Sequence, residues 1–177
     1  LKEHCPRHHE EQCWGVSCES FASSADLRLR IAGHLQKLAE RGVQVNLEAR
    51  RERIWDEVVK AALPDHPVRD EGLLDEVLHL VEMPYAAAGR FDHRFLVLPR
   101  ELLVSEMRKH QRYLPVFRDG ALAPHFVTMA NGLCDDDVVR TGNESVIRAR
   151  YEDALFFWNA DLEAADVDGF VPGLDKL

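Results

Sequence analysis

Glu106-Met107-Arg108-Lys109-His110-Gln111-Arg112-Tyr113-Leu114-Pro115-Val116-Phe117-Arg118-Asp119-Gly120 is the stretch on which the reading of this chain turns. Behind it, Pro99 suits a first helical position through its fixed φ, and Glu101 suits the positive end of a helix. A helix is therefore expected from Pro99 to about His110, with Leu102, Leu103 and Met107 on its buried side. From Arg112 to Phe117 polar and apolar residues alternate, which is the period of a half-buried strand. Asp119-Gly120 reads as a hairpin turn, and Leu122 to Ala130 as the returning strand. A helix that feeds an antiparallel hairpin is not a strand–helix–strand unit, so the fold class is α+β, with mixed helices and short antiparallel strands.

Upstream, Ser23-Ser24 and Asp26 offer an N-cap for a helix with Leu27, Ile31, Leu35 and Leu38 at the spacing of a half-buried face. Gly42 ends it, where a left-handed backbone is cheap. Val43 to Val45 is a short extended piece. Asn46 caps a second helix whose inner face is expected to be Leu47, Ile54, Val58 and Leu63, with Arg50, Arg51 and Arg53 mostly outside. Pro64 and Pro67 stop it. Asp70-Glu71 begins a third, with Leu73, Leu74, Val77, Leu78, Leu80 and Val81 as a broad apolar stripe, broken at Pro84. Tyr85 to Gly89 reads as a strand, and Phe91 to Leu98 as turn and short strand.

Downstream, Asp135 to Arg140 reads as a short helix. Asn143-Glu144 then caps a long amphipathic helix to about Glu163, with Val146, Ile147, Tyr151, Ala154, Phe157, Trp158 and Leu162 as core candidates. The parts are then residues 1–22, irregular; 23–163, an α+β domain; and 164–177, an acidic tail.

The 177 residues are 46% hydrophobic and 30% charged, ordinary for a globular chain, and carry a net charge of −9. That balance excludes a surface that binds phosphate all over. The charge is uneven, with a local +4 from Arg90 to Arg118 and a local −6 from Glu152 to Leu177. No apolar run approaches the ~20 residues that cross a bilayer. With no signal peptide in view either, a cytoplasmic location and no membrane partner are expected. Leu1 in place of Met suggests a piece of a longer polypeptide.

The residues offer little chemistry of their own. Glycine-rich nucleotide loops, the His-Glu-x-x-His zinc motif and the Gly-x-Ser-x-Gly elbow are all missing from the sequence. Cys5, Cys13 and Cys18 with His4, His8 and His9 lack Cys-x2-Cys spacing, so no metal site is expected. Cys134 has no partner placed to make it a nucleophile. His110 beside Gln111 fits a helix-end histidine better than an acid–base pair. Asp135 to Asp137 fit a capping run better than a cation site. Arg148 with Glu144 and Glu152, and Arg150 with Asp153, are spaced to pair on a solvent face. Two of Phe156, Phe157 and Trp158 are expected to point into the core.

The order of motifs says more. Leu98-Pro99-Arg100-Glu101-Leu102-Leu103, then Met107 to Val116, then Phe126-Val127-Thr128-Met129-Ala130-Asn131 resembles the β chains of bacterial heterotetrameric (α2β2) glycyl-tRNA synthetases. So do Gly142 to Arg150, Asp153 to Phe157 and Asp161-Leu162, and upstream Glu48-Ala49-Arg50-Arg51, Val81 to Pro84 and Gly89 to Asp92. The likeness runs from about Ser23 to Leu162 and points to the N-terminal half of such a chain. It implies an α+β domain related to the editing-type domain of phenylalanyl-tRNA synthetase β chains. It also implies a class II active site on a separate α chain, where ATP and magnesium activate glycine, and a β chain that binds tRNA. No residue or cofactor of this segment is then expected to be catalytic. The expected partners are the α chain, tRNA(Gly) and the remaining β-chain domains. Arg108, Lys109, His110, Gln111, Arg112 and Tyr113 form an expected RNA- or subunit-facing set, and Asn131, Asn143, Arg148 and Arg150 a second one. The alternatives are a non-catalytic structural or interaction module, or a diverged RNA-binding protein of the same fold.

Overall fold

The computed structural model describes residues 23–165. The chain forms two compact units, one reaching Arg41 and one starting at Gly42. The first contributes helix α1, Ser24–Glu40, capped where Ser23 Oγ accepts the Asp26 N–H at 3.2 Å. Its apolar stripe is present, but none of its residues is buried. Among the described residues, this unit offers no second element for the helix to pack on.

The second unit is an antiparallel sheet between two helical layers. Its elements are α2 (Leu47–Ala62), β1 (His66–Pro67), α3 (Glu71–Leu78), β2 (Pro84–Arg90), α4 (Arg100–Ser105), β3 (Leu114–Arg118), β4 (Ala121–Asn131) and α5 (Asp136–Ala165). The strand order is β1-β3-β4-β2, with every neighbouring pair antiparallel. The α+β expectation describes this architecture.

Strand β4 explains the layering. Leu122 and Phe126 point to one face, Val127 and Met129 to the other, as alternation dictates. The first face packs on Phe95, Leu103, Met107, Ile147 and Tyr151 from the turn before α4, from α4 and its extension, and from α5. The second packs on Ile54, Val58, Leu74 and Val77 of α2 and α3. The β3–β4 hairpin turns at Asp119 (φ 50°) and Gly120 (φ 81°), both left-handed as a two-residue hairpin requires. Gly89 lies opposite Phe126, and a Cβ there would stand 2.5 Å from the ring. Only glycine lets the ring lie across the strand.

Four expectations are corrected. The inner face of α2 is Arg50, Ile54, Val58 and Ala62, and Leu47 and Leu63 are exposed. Arg50 is drawn inward because its Nε donates to Gln44 O at 2.7 Å and its Nη1 to Leu78 O at 3.1 Å. The Leu78 carbonyl closes α3, where carbonyls lack partners within the helix and a cation suits the dipole. Phe91 to Leu98 is not part strand: Asp92 caps a 3-10 turn at His93–Val97, which buries Phe95. The helix from Pro99 does not stay α-helical to His110, since Glu106–His110 forms a π turn after α4.

The last correction concerns α5, which runs unbroken for 30 residues. Its N-terminal turn is capped by Asp135, whose Oδ1 accepts the Val138 N–H at 3.2 Å. Asn143 lies inside the helix and donates to Val139 O at 2.6 Å instead of capping a new one. Buried Ile147 and Tyr151 hold the helix on the sheet, which outweighs the ~1 kcal/mol that Gly142 costs. Val146, Phe157 and Leu162 are exposed, and so is Phe156, so only Trp158 of the aromatic triplet packs inward.

Candidate functional site

The site is assembled where α4 widens into the π turn. Met107 is fully buried and anchors that turn, so Arg108, Lys109 and His110 are carried on its outside. The Tyr113 N–H donates to Met107 O at 2.9 Å and closes the segment, with Arg112 left-handed at φ 55°. A π turn inserted in an α-helix is a local departure that often accompanies function.

Three of these side chains lie against acids. Arg108 pairs with Asp70, the residue that also caps α3 through its Oδ1 to the Leu73 N–H at 3.1 Å. Arg112 Nε donates to Glu76 Oε2 at 3.0 Å, and His110 Nε2 lies 3.8 Å from Glu106 Oε1. Lys109 makes no ion pair among the described residues. Gln111 is half-buried at the end of the turn. Asp70, Leu73, Glu76, Val104, Ser105 and Lys109 line a cleft of about 700 Å³ between α3 and α4.

Tyr113 belongs to the structure rather than the surface. Its ring stacks on Phe126 with centroids 4.5 Å apart, and its hydroxyl donates to Asn143 Oδ1. Burial pushes the phenol up to about 12. One member of each expected set is thus joined to the other. Asn131 lies elsewhere and is also structural: its Oδ1 accepts the Glu82 and Met83 N–H groups at 3.1 and 2.9 Å, clipping the start of β2. Arg148 and Arg150 are exposed on α5, and Arg148 donates to Ser145 Oγ at 3.3 Å. The expected helical pairs of Arg148 do not form, because their acids have partners in other elements. Glu144 accepts the Arg90 N–H at 2.9 Å, and Glu152 takes Arg94 at 2.6 Å.

Sequence reasoning overlooked one cluster at the other end of the sheet. Asp65 is buried and accepts two bonds from Arg118, at 2.7 and 2.8 Å, while His125 Nε2 lies 3.1 Å away. The Arg118 guanidinium holds the Asp65 carboxyl below its usual range. Burial holds the His125 imidazole below its own, with Asp65 opposing. The only local signal was a histidine within an apolar strand. The His/Cys group near the N-terminus lies outside the described residues, as does the end of the acidic tail. No helix among the described residues is long and apolar enough to cross a membrane.

Comparison with known proteins gives this surface its setting. The family model for the glycyl-tRNA synthetase beta subunit matches residues 17–177. A glycine–tRNA ligase beta subunit from Synechocystis is 44% identical over 148 residues, 81% of this chain and 20% of that protein. One from Listeria welshimeri is 45% identical over 144 residues, 79% of this chain and 21% of the relative. A chloroplastic/mitochondrial glycine–tRNA ligase from Arabidopsis thaliana is 38% identical over 151 residues, 82% of this chain and 14% of its own length. The chain spans about a fifth of the length of the beta subunits it matches. With the family model matched over residues 17–177, nearly its whole length, the chain belongs to the glycyl-tRNA synthetase beta subunit family.

Proposed function

We propose that this chain is a segment of the β subunit of a cytoplasmic glycine–tRNA ligase that supports attachment of glycine to tRNA(Gly) by contacting the tRNA. In this reading glycine is activated with ATP and magnesium at a class II site on a separate α chain, and the fold is a relative of the editing-type domain of phenylalanyl-tRNA synthetase β chains. The observation that carries the reading is the corner formed by Arg108, Lys109, His110 and Arg112, four exposed side chains on one π turn and its exit. A concentrated positive corner on an acidic chain is suited to local contact with phosphates.

The test is binding of a tRNA(Gly) transcript at two salt concentrations. Phosphate contacts give a negative log–log slope of roughly 0.9 per contact for duplex nucleic acid, and Arg108→Ala with Lys109→Ala and Arg112→Ala should reduce it. A slope that is flat and unchanged in the triple variant removes direct RNA contact by this corner.

A second reading, an interaction module for the α chain or other β-chain domains, is favoured by different residues. Phe156 and Phe157 are 70% and 64% exposed on α5, more apolar surface than a free helix face usually shows. Capture of the α chain without RNA, lost on Phe156→Ser with Phe157→Ser, would support it.

A further inference from the structure

We propose that α3 masks the basic corner, with Asp70 and Glu76 acting as built-in competitors for the RNA phosphates that Arg108 and Arg112 would hold. The inference rests on the tRNA-contact reading above and adds how that contact is regulated. Two observations carry it. Both arginines of the corner are claimed by carboxylates of one element: Arg108 by Asp70 at the N-cap of α3, and Arg112 by Glu76 two turns later. Lys109, between them in sequence, has no carboxylate partner among the described residues.

The exchange is easier at one pair than at the other. The side chains of Arg112 and Glu76 are 48% and 58% exposed, whereas Arg108 is 45% exposed against Asp70 at 19%, so the Arg112 pair opens more readily. Ion pairs that open to water are weak and screened by salt. A guanidinium meets a phosphate in the same two-pronged geometry as a carboxylate, so one partner can replace the other without moving the backbone. Asp70 would keep its second task, since the oxygen that caps Leu73 N–H is Oδ1 while Arg108 is held through Oδ2. In this scheme Lys109 meets the RNA first and the two arginines follow by leaving α3. The mask lowers the positive charge that the corner shows to stray polyanions until a ligand offers several phosphates at the right spacing. Glu101, which borders the same cleft, and Glu106, beside His110, stay in place and set the background charge.

The experiment measures affinity for a tRNA(Gly) transcript in the full chain carrying Asp70→Asn and Glu76→Gln, singly and together. Asparagine caps a helix about as well as aspartate, and Glu76 lies on the outer side of α3, so both variants should fold. Removing the competitors should tighten binding about threefold for each change and about tenfold for the pair, the scale of an exposed ion pair. A matched control, Asp56→Asn with Glu163→Gln, removes two exposed acids elsewhere and should change affinity by less than about twofold. An equal gain in the control, or no gain in the Asp70/Glu76 pair while Arg108→Ala with Arg112→Ala still weakens binding, overturns the mask alone. If the arginine pair itself leaves affinity unchanged, the tRNA-contact reading falls and the mask with it.

Discussion

The Tyr113 hydroxyl donates to Asn143 Oδ1, and through that bond the entrance to the hairpin is fastened to the middle of α5. The same ring stacks on Phe126, so the side chain is held at its face and at its tip. Tyr113→Phe keeps the stack and leaves the Asn143 oxygen unpaired, which should cost about 1–2 kcal/mol in urea unfolding. A loss below about 0.3 kcal/mol would mean that water replaces the hydroxyl.

The same residue predicts behaviour in alkali. Its folded-state pKa, about 12, is above the ordinary phenol value of ~10, so the fold favours the neutral form. The resulting stability is fully present below pH ~10 and is lost as pH rises toward ~12. Melting temperature followed from pH 9 to pH 11.5 should fall more steeply in the natural chain than in Tyr113→Phe. Parallel curves would contradict it.

At the other end of the sheet the dependence runs toward acid. His125 is held below its ordinary value of ~6.5, so its contribution is present above that pH and lost as pH falls through the lowered value. Asp65 is held below ~3.9 by Arg118, so its contribution is lost only at lower pH still. His125→Gln should therefore flatten the stability profile just below about pH 6.5, and Asp65→Asn the part below about pH 4. An unaltered profile in either variant would show that the cluster does not titrate with folding.

Gly89→Ala sets a methyl group against the Phe126 ring, 2.5 Å from the nearest carbon. The ring is fully buried and stacked, so it has little room to move. A loss of about 2–4 kcal/mol is expected, above the usual range for overpacking because the strand pairing is also displaced. Gly89→Ala with Phe126→Leu should recover part of it. Were the single variant as stable as the natural chain, the strand would have to slide there without penalty.

Arg50→Met keeps the apolar stem and removes the donors to Gln44 O and Leu78 O. Two carbonyls left without those bonds should cost about 2–3 kcal/mol, read as a shift in urea midpoint with unchanged slope. An equal or higher midpoint would place the value of this site in packing alone.

Much of the fold could be read from local chemistry. Ser23 and Asn46 cap the helices they were expected to cap, and Asp70 caps the one it was expected to begin, because capping is decided within three residues. The hairpin at Asp119-Gly120 and the alternation of β4 are local in the same sense. At Arg50 and Asn143 the reading failed because a deciding partner is far along the chain, whereas the 3-10 turn at His93–Val97 is capped locally by Asp92. Arg50 is turned inward by Leu78 and Asn143 is kept inside α5 while Tyr113 binds it, and no pattern of hydrophobicity carries such information. The candidate site divides the same way. Its cations were visible as a cluster, whereas Asp70 and Glu76, which hold two of them, lie 38 and 36 residues earlier.

Strand β4 lies between β3 and β2 and shows a different set of side chains to each helical layer. The two cores therefore share one backbone, and neither can melt while the other keeps its floor. Such a strand sets the cooperativity of the whole unit: its amides should be the last to exchange with solvent, and both layers should unfold in a single step.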